Sequence, residues 1–114
     1  MTPEQAELVD RLRALLAAES STREVPMFGG LSFMVNDEMI VSALRGGDLL
    51  VRVAPERDSE LGDLPGASPT EMGPGRTMGP GWISVSAAAI TGDDRLAFWL
   101  GVALEHNWAT ARDR

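Results

Sequence analysis

Apolar positions change their spacing several times along this chain, and each change marks an element. Over residues 3–18, Val9, Leu12, Leu15 and Leu16 recur at helical intervals, while Glu4, Glu7, Asp10, Arg11 and Arg13 point elsewhere. That pattern predicts an amphipathic helix docking one stripe on a core. Its start is well marked: Thr2 can cap, Pro3 takes the first helical position, and Gln5 completes a capping box. Glu19 to Arg23 reads as a connecting loop.

From Val25 the period shortens to two. Leu31, Phe33 and Val35 alternate with Ser32 and Met34 up to the tight-turn pair Asn36-Asp37. Met39, Val41 and Ala43 then alternate with Ile40, Ser42 and Leu44, and after Arg45-Gly46-Gly47-Asp48 come Leu49, Val51 and Val53 against Leu50, Arg52 and Ala54. Three short strands joined by two tight turns predict an antiparallel meander. Its second face is also fairly apolar (Met34, Ile40, Leu50), so a partial cover is expected there, a partner being one source.

Pro55 opens a short helix to Leu61, with Gly62 placed to end it. Residues 62–81 are rich in proline and glycine, yet apolar strand sequence resumes at once with Trp82-Ile83-Ser84-Val85. They therefore read as an ordered excursion, with a short strand at Thr70-Glu71-Met72. Thr91-Gly92-Asp93-Asp94 starts a last helix, running to about Thr110, whose buried stripe is Leu96, Trp99, Leu100, Ala103, Leu104 and Asn107. The predicted fold class is α+β: one domain over residues 1–114, with N- and C-terminal helices packed on an antiparallel sheet of a three-strand meander plus one or two further strands.

Composition narrows the chemistry. The chain has no cysteine, and all ten basic residues are Arg, which excludes thiolate metal sites, cysteine nucleophiles, Schiff-base chemistry and a phosphate-loop lysine. With one histidine, His106, a multi-histidine metal site cannot be built. The net charge of −7 includes no basic stripe, so nucleic acid is not expected as a partner of this domain alone. The acidic N-terminus lacks the pattern of a secretory signal, and no apolar run approaches a membrane span; a cytoplasmic location with no membrane contact is the expectation.

His106 falls late in the last helix and reads as a surface histidine near a helix C-terminus, where a cation is favoured. Asp37-Glu38 and Asp93-Asp94 are adjacent carboxylates without a third ligand at a useful spacing, so no metal is expected. Gly73 to Gly81 resembles a phosphate cradle only superficially, because prolines remove donors and a strand follows where a helix is needed. Neither a catalytic group nor a cofactor is expected, and the chain reads as a non-enzyme. Six methionines, five of them in or beside the strands, suit an adaptable protein contact.

The run Met27-Phe28-Gly29-Gly30-Leu31-Ser32-Phe33-Met34-Val35-Asn36 resembles the signature opening of the TfoX/Sxy N-terminal domain family. Leu49-Leu50-Val51-Arg52-Val53 before Pro55-Glu56, then Gly75-Arg76-Thr77-Met78 shortly before Gly81-Trp82-Ile83, then the closing helix, are similar to its later motifs in the same order. The resemblance covers about residues 5–108. It implies an α+β fold related to type III secretion chaperones, and a regulatory role: the name-giving members promote natural competence through late competence gene expression. It brings no established catalytic residues. One departure is expected: the full-length regulators carry a second, C-terminal helical domain, for which this chain, ending at Arg114, leaves no room, so it reads as the N-terminal domain standing alone. Candidate motif or binding residues are Met27, Phe28, Gly29, Gly30, Arg52, Arg76, Met78 and Trp82. Gly29 and Gly30 would let the chain turn, and Phe28, Phe33 and Trp82 would fill the core. The expected partner is a protein, a homodimer included. The alternative is a small-anion or metabolite-binding module using Arg52 and Arg76.

Overall fold

The computed structural model describes residues 2–19, 21–27, 30–69, 71–73, 76, 77 and 79–112, with the backbone alone at 27, 69, 71–73, 76 and 77. Helix α1 spans Pro3–Leu15, and the Thr2 hydroxyl accepts the Gln5 N–H at 3.2 Å as the N-cap. The capping box does not close. The Gln5 side chain is buried and its Nε2 donates instead to the Ala43 carbonyl at 2.9 Å, tying the helix to the sheet. The docked stripe is Leu8, Val9, Leu12 and Leu16, whereas Leu15, expected inside, is 41% exposed.

A strand β1 (Arg23–Met27) precedes the meander where a loop was expected at its start. It pairs with β2 (Gly30–Val35), then come β3 (Glu38–Ala43) and β4 (Leu49–Arg52). A 3-10 turn at Pro55–Arg57 leads into the short helix α2 (Asp58–Gly62), which runs through Gly62 and is capped by Asp63. The excursion supplies β5 (Ala67–Pro69) and a separate hairpin of β6 (Glu71–Gly73) and β7 (Arg76–Thr77). β8 (Trp82–Val85) inserts between β4 and β5, completing a six-stranded antiparallel sheet in the order β1-β2-β3-β4-β8-β5. A 3-10 turn at Ala87–Ile90 precedes the 20-residue helix α3 (Asp93–Arg112). The architecture is α+β, as the periodicities predict.

One face of the sheet carries the core. Phe33, Val35, Val41, Ala43, Leu49, Val51, Ile83 and Val85 pack there with the α1 stripe and with Leu96, Trp99, Leu100, Val102 and Ala103 of α3; Leu104 is only partly buried. A bulge between Phe33 and Met34 shifts the β2–β3 register, so Met39 pairs with Met34 and Ile40 takes the core position that simple alternation assigns to Met39. Ser32, Ser42, Leu50 and Met39 are buried too, although the sequence pattern leaves open a partner's cover over their face; the chain itself provides it. Ser32 donates to Ser42 across the strands at 3.1 Å.

Polar contacts close the ends. Asn36 and Asp37 have φ of 53° and 64°, the left-handed pair of a two-residue hairpin turn. Asn107, buried in α3, accepts from Asn36 Nδ2 at 3.0 Å and donates to the Val35 carbonyl at 2.8 Å. Arg11 staples α1 to the start of α3, donating to the Ile90 carbonyl at 2.7 Å and pairing with Asp93 at 3.1 Å.

Candidate functional site

The sequence candidates separate to opposite ends of the strands. At one end, β4 leaves the sheet at Arg52 and β8 enters it at Trp82, directly opposite in register. The Arg52 guanidinium lies 5.3 Å over the Trp82 ring, within reach of a cation–π contact. Trp82 is therefore not part of the core that the sequence assigned it to; it is half-buried at the sheet end, and Trp99 fills the core instead. Among the described residues no carboxylate stands within ion-pair distance of Arg52.

Gly81 explains why a glycine precedes this tryptophan. Its φ is +95°, and an added Cβ would sit 3.0 Å from the Val53 carbonyl oxygen. The Gly81 N–H donates to Asp58 Oδ1 and its carbonyl accepts from the Val53 N–H, both at 2.9 Å. The glycine thus locks the entry of β8 against both the exit of β4 and the start of α2.

His106, near the end of α3, belongs to the same corner. Its pKa is lowered, first by burial and then by the positive charge of Arg52, with Glu56 partly opposing. It is thus biased toward the neutral imidazole, opposite to the cation that its place near a helix C-terminus suggests. Among the described residues, no hydroxyl is hydrogen-bonded to its ring. A guanidinium on an indole face beside a neutral imidazole can receive an anion; it offers no activated nucleophile.

Met27 and Gly30 lie at the other end of the strands, as the partnered residues closing the β1–β2 hairpin. Gly30 does not turn the chain; it sits in β2, where an added Cβ would come 2.4 Å from the Ala43 carbonyl oxygen. Phe28, Gly29 and Met78 lie outside the described residues. Arg76 is on β7, in a different sheet from Arg52.

Two further features escaped the sequence reading. An open hollow of about 190 Å³ lies between α1 and the turn before α3, lined by Glu4, Glu7, Arg11, Ile90 and Thr91 among others. Its one guanidinium, Arg11, is already committed to Ile90, Thr91 and Asp93. More informative is the outer side of α3, where Phe98 is 38% and Trp108 47% exposed. Both rings are held in place: Phe98 has Arg95 5.3 Å over its face and packs edge-on against Trp99 at 5.4 Å, and Trp108 Nε1 donates to Glu19 at 3.1 Å. The signal was present, since positions 98 and 108 fall outside the buried stripe through 96, 99, 100, 103 and 107.

Among the described residues no group of three or more acidic or histidine side chains is placed to hold a metal ion, and no helix is long and apolar enough to cross a membrane. Comparison with curated proteins gave no match. The sequence pattern of the TfoX N-terminal domain matches residues 14–107, from the last turn of α1 to the buried Asn107 of α3. Spanning most of the 114 residues and the whole sheet, that match establishes that the chain belongs to the TfoX N-terminal domain family.

Proposed function

We propose that this chain is a non-catalytic, cytoplasmic regulatory domain that acts by protein–protein contact, in the sphere of competence and transcriptional control served by the name-giving members of its family. The observation that carries the reading is the pair of pre-set aromatic side chains on the outside of α3. Large rings left partly in water have apolar area still to bury, and aromatic anchors dominate the energetics of protein interfaces. Because Arg95 and Glu19 already hold the two rings, little side-chain freedom is lost on docking. The contact surface is α3 rather than the methionine-bearing sheet, whose Met39 is buried within the chain.

Affinity capture from the native cytosol tests this. A protein retained by the wild type and lost from Phe98→Ala and Trp108→Ala supports it; equal retention by all three, or none by a wild type that also fails to self-associate, refutes it.

A second reading follows from Arg52, whose charge faces an indole ring and, among the described residues, no carboxylate within ion-pair distance. An anion bound there raises the His106 pKa by cancelling the charge that lowers it. Thermal stabilisation by a phosphorylated or carboxylated ligand, lost in Arg52→Ala, supports this reading; no shift across a broad panel removes it.

A further inference from the structure

The outer face of α3 is complementary to itself, and we propose that its occupant is a second copy of this chain, packed antiparallel across a two-fold axis level with residue 103. The inference rests on the contact reading above and names the partner. At about 100° per residue, Asp94, Ala97, Phe98, Gly101, Glu105, Trp108, Ala109 and Arg112 fall on one side of the helix, and all are exposed. An axis level with residue 103 sets each against a suitable mate. Phe98 meets Trp108 of the other copy, Ala97 meets Ala109, and Gly101 receives the stem of Glu105. Asp94 faces Arg112 twice over, once at each end of the pair. A two-fold interface requires such reciprocity, since each contact must occur twice. The charges also fix the direction: a parallel pair would set Asp94 against Asp94 and Arg112 against Arg112. Among the described residues, neither has an ion-pair partner within its own chain.

Gly101 adds an independent argument. It lies mid-helix and exposed, and an added Cβ would meet nothing within 4 Å. Glycine there weakens the helix relative to alanine, and no contact inside the chain requires it. Close approach by a second helix supplies the requirement. The edges of the six-stranded sheet are poor competing routes, because β1 carries Pro26 and β5 carries Pro69, which cannot donate to an added strand. One feature opposes the pairing: the two Glu105 side chains lie about 6 Å apart along the axis. Together with the modest area of a single helix face, this sets the dimer in the weak, micromolar class.

The test is sedimentation equilibrium of the whole chain from micromolar to near-millimolar concentration. The wild type should rise from 12.2 kDa toward twice that mass. Asp94→Arg and Arg112→Asp should each weaken association about tenfold, the double variant should recover it, and Glu105→Gln should tighten it. Both charge reversals oppose the helix dipole, so thermal stability should fall further in the double variant while association returns. A merely structural effect cannot produce that crossing. Gly101→Gln should abolish the dimer without lowering the melting temperature of the dilute chain. A wild type that stays monomeric throughout, or a double variant no better than the singles, overturns the inference. If such a monomer still retains a cytosolic protein through Phe98 and Trp108, the contact reading outlives its proposed partner; if it retains none, both fall.

Discussion

Replacing Gly30 with alanine should damage the fold although it adds one methyl group. An ideal Cβ at this position sits 2.4 Å from the Ala43 carbonyl oxygen, 3.1 Å from the Ala43 carbonyl carbon and 3.0 Å from Ser42 Oγ. Ordinary contact begins near 3.4 Å, so β2 and β3 must separate by about 1 Å at their shared end. The obstacle is backbone, which cannot rotate away as a side-chain tip can. Overpacking of this kind costs about 1–3 kcal/mol. The same carbonyl accepts the buried Gln5 amide, and displacing it strands a polar group at a further cost of about 1 kcal/mol or more. A total of about 3 kcal/mol corresponds to a melting temperature lower by roughly 12 °C in a domain of this size.

Thermal melting followed by far-ultraviolet circular dichroism reads this directly, with Gly46→Ala as control. Gly46 is exposed, and a Cβ there meets nothing within 4 Å, so its variant should melt close to wild type. Because Gly30 and Gln5 act on one carbonyl, Gly30→Ala with Gln5→Leu should cost less than the sum of the two singles. A Gly30→Ala protein that melts with the Gly46→Ala control would refute the reasoning, and would return this glycine to a role in binding.

Three other predictions use the same logic. The folded His106 pKa is lowered, so the unfolded chain takes up the proton first and this contribution to stability falls as pH drops below about 6.5. Denaturant unfolding at about pH 7.5 and 5.5 should therefore show a smaller difference in His106→Gln than in wild type, and Arg52→Gln should raise the His106 pKa measured by nuclear magnetic resonance while Glu56→Gln lowers it. Asn107→Leu leaves the Val35 carbonyl and the Asn36 amide without the partner they share, and should cost about 2 kcal/mol in denaturant unfolding. Asp37→Gly should stabilise by about 1 kcal/mol, since φ of 64° suits glycine and the ion pair it forfeits, to Arg23 at 3.4 Å, is solvent-exposed; a lower melting temperature would contradict that account.

Local periodicity carried most of the architecture. Leu31, Phe33 and Val35 face the core as alternation requires, and Leu96, Trp99, Leu100 and Ala103 do so as helical spacing requires. It failed where a non-local contact decides. Met39 left its predicted face because a bulge in the partner pairing intervenes, and nothing in its own neighbours marks that. Strand β1 hides because an exposed edge strand with Arg23, Glu24 and Pro26 shows no apolar alternation. Gln5 reads as half of a capping box, yet a carbonyl 38 residues away claims its amide. In the candidate site, Arg52 and Trp82 carry a recognisable motif, but their stacking depends on β8 inserting beside β4, a non-local pairing that neither strand's own spacing specifies. His106 joins them only because α3 crosses back over that end.

The motif residues and the docking residues occupy different elements, and this separation has a consequence. Gly30 and Gly81 are required by backbone oxygens 2.4 and 3.0 Å from where a side chain would begin, so they hold the sheet together whatever the protein touches. Gly101 meets nothing inside the chain, and Phe98 and Trp108 make only peripheral contacts there, to Arg95, Trp99 and Glu19, while the buried stripe of α3 secures the helix. Substitution on the outer face is thus under a weaker packing constraint than the one that fixes the inner face. A chain bearing the same glycines and the same inner stripe but a charged outer α3 face should fold as this one does and dock elsewhere. Grafting polar residues at 98, 101 and 108 here should accordingly lower the melting temperature, because part of each ring is buried, yet leave a cooperative fold while changing what the protein binds; a collapse of the fold would mean that the outer rings belong to the core after all.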